Sequence, residues 1–296
     1  MARVLVSGGT GFVGRFIVEE LLRQDYAVTV SGRTQPSDTF FTGPVRFVRQ
    51  ALDPEADFGD LFAGVDVFVH AAFDHVPGRY RGGEGADPEN FRRRNRLGSI
   101  GLFEAARQAG VKRAIFLSSR AVYGTHPSGA RLDEKTSCRP DTLYGEVKLA
   151  VEEGLRRLAR PGFETASLRI TGVYGPAAQG RMHKWSGLIE DYLAGRPVTP
   201  RVGTEVHGED VAASISLLLG QTPWCEPALN VSDIVLDRRD LLAIVRRECG
   251  VPHPLPAHAD AGSLNVMATD RLRAMGWMPG GKDRLKQFVL SALDRL

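Results

Sequence analysis

A chain of 296 residues with 43% hydrophobic and 25% charged side chains can bury a sizeable core, as one large α/β domain or a main domain with a smaller lobe. Its net charge of +3 suits small anionic ligands and is modest for a dedicated nucleic-acid binder. Cys138, Cys225 and Cys249 stand far apart with no CxxC pair, and no apolar run approaches the roughly 18 residues of a membrane helix; a soluble, cytoplasmic protein without disulfides, metal, nucleic-acid partner or membrane contact is expected.

The N-terminus reads MARVLVSGGTGFVG. Residues 3–7 form a short strand, and Gly8, Gly9, Gly11 and Gly14 open a stretch whose Val13, Phe16, Ile17, Leu21 and Leu22 recur at helical spacing. Such a glycine turn lets a pyrophosphate approach the backbone N–H groups at a helix N-terminus, although a tight turn without ligand has the same signature. Ala27-Val28-Thr29-Val30 is a second strand. Gly32 stands where an acidic residue would meet the adenosine ribose 2′-OH, and Arg33 follows it. A guanidinium there suits a 2′-phosphate, which favours NADP over NAD; a solvated charge after a strand is the alternative.

Residues 45–48 offer a third strand, followed by Ala51, Leu52 and Asp53 as adenine-side contacts. Residues 65–72 are a fourth, nearly all apolar as a strand buried on both faces should be, and Ala71 and Ala72 at its end leave room for a cofactor. Residues 74–87, rich in Gly, Pro and charge, form a loop over the site. Its His75, Arg79 and Arg81 either meet an anionic substrate or are solvated. The run Arg92-Arg93-Arg94-Asn95-Arg96 reads as a charged helix face, since no aromatic residues interleave it. Residues 113–119 are a fifth strand ending in Ser118-Ser119. Repeated strand–helix–strand units predict a doubly wound, parallel α/β sheet, with ligands outside the carboxyl ends of its strands.

Tyr144 and Lys148, four apart at the start of a helix, share one helix face. A tyrosine with a pKa near 10 shuttles protons poorly at neutral pH, but a neighbouring ammonium favours its phenolate. Alone, such a pair is common by chance. Together with Gly8-Gly9-Thr10-Gly11-Phe12-Val13-Gly14, His70-Ala71-Ala72, Asn95 and Gly98, Phe116 to Gly124, Leu168-Arg169, Val173-Tyr174-Gly175-Pro176 and Asp210-Val211-Ala212, it makes the chain resemble the extended short-chain dehydrogenase/reductase family, the NAD(P)-dependent epimerase/dehydratases.

The resemblance implies a Rossmann-like domain over 1–172 and a smaller, mainly substrate-binding lobe over 173–296, some of whose segments return to the main domain. It implies Ser119, Tyr144 and Lys148 as the catalytic set, with Ser119 selected over Ser118 by its spacing from Tyr123. Gly8, Thr10, Gly11, Phe12, Val13, Gly14, Arg33, Leu52, Asp53, Ala71, Ala72, Tyr144 and Lys148 are the implied cofactor contacts, and a homodimer follows from the same likeness. Two positions depart from it. Gly172 replaces an asparagine and Gly203 an arginine that hold substrate phosphate in nucleotide-sugar members. Arg181, Lys184 and Arg201 are candidate substitutes, with His75, Arg79 and Arg120 as further substrate contacts. The expected activity is NAD(P)-dependent hydride transfer at a secondary alcohol or carbonyl of a sugar-like or polyhydroxylated small molecule. The alternatives are a nucleotide-sugar 4-epimerase or dehydratase with retained NAD, and a non-catalytic redox sensor.

Overall fold

A computed structural model describes residues 2–76, 83–224 and 227–294. In chain order its strands are β1 (Arg3–Ser7), β2 (Ala27–Gly32), β3 (Arg46–Arg49), β4 (Val67–His70), β5 (Arg113–Ser119), β6 (Arg131–Leu132), β7 (Glu164–Ile170), β8 (Gly172–Tyr174), β9 (Val202–His207), β10 (Ala228–Val231), β11 (Ile234–Asp237) and β12 (Val266–Met267). Its helices are α1 (Phe12–Arg23), α2 (Pro88–Arg92), α3 (Gly98–Gln108), α4 (Leu143–Leu158), α5 (Ser186–Leu193), α6 (Gly208–Gly220), α7 (Arg238–Cys249), α8 (Asp270–Ala274) and α9 (Gly281–Leu293). A π-helical turn, Arg93–Leu97, joins α2 to α3.

The main sheet is seven-stranded and parallel, in the order β10-β7-β5-β4-β1-β2-β3. Its strands are apolar because helices cover both faces. Phe16, Ile17 and Leu21 of α1 pack with Val211 and Ile215 of α6 on one side, against Val4, Val6, Val30 and Val69. Leu102 and Phe103 of α3 and Val151 and Leu155 of α4 cover Leu5, Phe68, Ala114 and Phe116 on the other. A three-stranded sheet, β11-β9-β8, carries a separate core in which Tyr174, Trp185, Ile189, Leu242 and Phe288 meet α5, α7 and α9. β10 and α6 return from that half of the chain to the main sheet. Among the described residues no helix is long and apolar enough to cross a membrane.

Two differences in extent from the expected elements bear on the site. The fourth strand ends at His70 rather than Ala72, because Ala71 and Ala72 leave the ladder where they pass Gly8. The helix whose charged face the arginine run was expected to form is interrupted there by the π turn, where the side chain of buried Asn95 donates to the Phe91 carbonyl at 3.0 Å and reaches sideways to Asp74. The arginine run there is committed to ion pairs in several directions: Arg92 with Glu89 and Glu146, Arg93 with Glu55, and Arg94 with Asp74.

Candidate active site

The turn between β1 and α1 is built on missing side chains. Gly8 has φ +69°, and a Cβ there would lie 2.6 Å from the Ala72 backbone; a Cβ on Gly14 would lie 2.8 Å from the Gly9 Cα. Gly11, at the N-cap of α1, offers no side-chain cap, so the first-turn N–H groups are left for a ligand. A dinucleotide pyrophosphate fits this cradle, whose walls are Ala71 and Ala72, with Thr10 Oγ1 beside Gly32. Phe12 and Val13 pack half-buried on the first core, Phe12 edge-on to Phe16. Gly8→Ala is expected to cost about 2 kcal/mol through a disfavoured φ and a backbone clash. Thermal unfolding should show a fall of several degrees, and dinucleotide release on denaturation should show a loss of bound cofactor.

The adenine-side positions are placed unevenly. The Leu52 side chain is 5% exposed and packs in the second core. Its carbonyl accepts from Arg94 Nε at 3.1 Å, and Asp53 caps the following turn through the Glu55 N–H. Arg33 stands at the end of β2, but its guanidinium is paired with Asp74 at 3.0 Å.

Beyond the cradle, α4 sets Tyr144 and Lys148 against the end of β5. Thr142 caps the helix by accepting from the Gly145 N–H at 3.1 Å. Gly145 packs on the turn after Ser119; a Cβ there would lie 3.0 Å from Pro140 and 3.1 Å from the Ala121 carbonyl carbon. Tyr144 meets Phe73 edge-on at 5.1 Å. Lys148, only 4% exposed, donates to the Leu117 carbonyl at 2.7 Å and lies over the rings of Phe73 (4.4 Å) and Phe116 (4.7 Å). Burial pushes its ammonium down to about 7, with Glu152 opposing. Below it His70, buried between Ser7 and Ser99, is pushed down to about 3 by burial and the Lys148 charge, and stays neutral.

Alternation along β5 separates the two serines. Ser118 turns inward to donate to Glu152, which is ion-paired with buried Arg169 at 2.8 Å. Ser119 faces the other way, half-buried, and accepts from the Ala121 N–H at 3.2 Å. Through Ser118 and Glu152 the buried network ties β5 to α4 and β7.

On the substrate side, Ser119 pairs in register with Ile170, so Gly172 begins β8 two residues beyond the level of that serine. The space a side chain at Gly172 would take is already filled: a Cβ there would lie 2.6 Å from Glu205 Oε2 and 2.7 Å from Lys184 Nζ. These two form an ion pair, 13% and 34% exposed, in which burial raises the Glu205 carboxyl while Lys184 lowers it. Gly203 has nothing within 4 Å of where a Cβ would stand. Arg181 and Arg201 are exposed; Arg201 lies near enough to Glu205 to lower its carboxyl. His75 Nδ1 lies 3.2 Å from the Phe73 carbonyl, its ring 6.0 Å from that of Phe73. Arg120 reaches away to the Asn265 carbonyl at 3.1 Å. Arg79 and Arg81 lie outside the described residues. Sequence reasoning missed Asp74 and Glu205. Each is a single acid whose partner lies far along the chain, and only the sheet order brings them together.

The sequence model of the NAD dependent epimerase/dehydratase family matches residues 4–224. A UDP-glucose 4-epimerase of Rhizobium leguminosarum bv. trifolii is 31% identical over 219 residues, which cover 70% of this chain and 64% of that protein, a little under two thirds. The structure of the Thermus thermophilus UDP-glucose 4-epimerase with NAD superposes with a TM-score of 0.75 at 31% identity over 97% of both chains. MoeE5 in complex with UDP-glucuronic acid and NAD superposes with a TM-score of 0.81 at 26% identity over 100% of both.

Proposed function

Because the chain belongs to the NAD dependent epimerase/dehydratase family, and is therefore an NAD-dependent enzyme of the extended short-chain dehydrogenase type, we propose that it is a nucleotide-sugar 4-epimerase that retains its NAD. The observation that carries the chemistry is the packing of Gly145 on the turn after Ser119, which brings Ser119, Tyr144 and Lys148 to one end of the sheet beside the glycine cradle. The sugar nucleotide as substrate rests on the likeness to UDP-sugar proteins along the whole chain.

In this reading bound nicotinamide supplies a hydride acceptor that returns what it takes. The protein does the rest. The Tyr144 phenolate oxygen takes the proton of the sugar hydroxyl and later gives it back, and Ser119 Oγ hydrogen-bonds the same substrate oxygen. Lys148 stabilises the phenolate from the same helix face and donates to the cofactor ribose. Phe73 and Phe116 keep water from the ammonium. Lys184, held by Glu205 over Gly172, takes the place of the missing amide donor as the cation for the substrate's charged group. Lys184→Ala is expected to raise KM for a UDP-sugar about tenfold with little change in kcat, as loss of a charge-assisted contact made equally in ground and transition states. Steady-state kinetics decide it; an unchanged KM removes Lys184 from the site.

A second reading is favoured by Gly172 and Gly203, which lack phosphate donors, and by the Glu205 carboxylate over Gly172. It is net oxidation or reduction of a polyhydroxylated substrate without a diphosphate. Incubation of the purified protein with UDP-glucose, with no dinucleotide added and products separated by chromatography, distinguishes the two: UDP-galactose supports the first, and turnover only of uncharged polyols with exchangeable cofactor supports the second. We further propose that two copies pair through α3 and α4, as the family likeness implies, where Leu97 at the start of α3 is 48% exposed.

A further inference from the structure

Across the C-terminal edge of β1 the two flanking strands are joined by side chains. Ser7, the last residue of β1, pairs in register with Ser31 of β2 on one side and with His70 of β4 on the other. Arg33, two residues past Ser31, and Asp74, four past His70, therefore stand on opposite banks of the glycine turn. Arg33 Nη1 meets one Asp74 carboxylate oxygen at 3.0 Å and Arg94 Nη1 meets the other at 2.7 Å. Arg94 is itself fixed by its bond to the Leu52 carbonyl. Asp74 is held from behind, where buried Asn95 accepts from its N–H at 2.7 Å and donates to its carbonyl at 2.8 Å.

We propose that Asp74 is the residue that sets the choice of dinucleotide, selecting NAD by occupying the Arg33 guanidinium that a 2′-phosphate would otherwise use. The proposal rests on the reading of the glycine cradle as a nicotinamide dinucleotide site. A phosphate dianion approaching Arg33 meets a carboxylate already shared between Arg33 and Arg94, and like charges a few ångströms apart repel. The Asn95 clasp fixes the Asp74 backbone on both its polar groups, so the carboxylate has only its own side-chain rotation by which to withdraw. A neutral 2′-hydroxyl meets no such penalty. Arg33, which reads from the sequence as a 2′-phosphate ligand, thereby becomes part of the device that excludes one.

The test strips the full chain of the dinucleotide it carries, equilibrates it with equimolar NAD and NADP, removes what is unbound, denatures the protein and separates what is released. The wild-type chain is expected to carry NAD in about tenfold excess or more, and Asp74→Asn and Asp74→Ser, which leave the backbone clasp intact, to shift the ratio about tenfold toward NADP. Adding Arg33→Ala to either variant should abolish the shift. A ratio unchanged in both single variants, a shift that survives loss of Arg33, or a wild-type chain loaded with NADP overturns the proposal. A wild-type chain that carries neither dinucleotide overturns the cradle, and the proposal with it.

Discussion

Tyr144→Phe is expected to lower kcat about a thousandfold or more, the usual scale for removing a positioned proton donor and acceptor. Only one oxygen leaves. The ring keeps its edge-on contact with Phe73 at 5.1 Å, so packing is preserved and the melting temperature should stay within about a degree, as for a substitution that opens no cavity. Bound dinucleotide, measured after denaturation, should be close to the wild-type amount, because Lys148 and the glycine cradle are untouched. A tyrosine that merely fills space would tolerate this change with full turnover. Near-normal kcat in a folded, cofactor-loaded variant would therefore remove Tyr144 from the chemistry.

Lys148→Met should also abolish most turnover, by a factor of about a hundred to ten thousand, yet without loss of stability. The ammonium is held by one carbonyl and two aromatic faces, and burial pushes it from its ordinary 10.5 to about 7. The sign follows from linkage. Below pH 7 the lysine is charged in both folded and unfolded chains, and its desolvation cost is fully present. Between about 7 and 10.5 the unfolded chain holds a proton that the folded chain does not, so the wild-type protein gains stability as pH rises. In cofactor-free protein the methionine variant should thus be more stable at pH 6, by on the order of 2 kcal/mol, with the difference shrinking toward pH 10. Denaturant unfolding at the two pH values checks it. A variant less stable than wild type at pH 6 would mean that Lys148 holds the fold together and is not kept there for function.

How much of this was legible beforehand depended on the range of the interaction. Residues 113–119 read as a strand and are β5 to the residue, because apolar content and the closing serines are local signals. That Tyr144 and Lys148 share one helix is readable for the same reason, their spacing being set within one turn. The choice of Ser119 came from family spacing. The inward turn of Ser118 to Glu152, which leaves Ser119 facing the other way, needs α4 and β7 in place. Leu52 was expected beside a ligand, yet its side chain lies in the core, since a residue after an edge strand gives no periodicity from which to read its direction.

Arg33 shows the limit most clearly. A guanidinium just past β2 has one meaning alone and another beside Asp74, and those two residues are 41 apart in sequence. Their meeting depends on β2 and β4 flanking β1, a property of the sheet as a whole. The same holds for Lys184 and Glu205 over Gly172, where a departure from family pattern was visible but the ion pair that fills the space was not.

In the proposed reaction hydride leaves and returns to the same sugar carbon within one retained complex. UDP-glucose carrying deuterium at C4, incubated with the purified protein without added dinucleotide and followed by mass spectrometry, tests this most directly. UDP-galactose that keeps the deuterium is the predicted result. Product that has exchanged its label with solvent, or conversion that requires added NADPH, would contradict it.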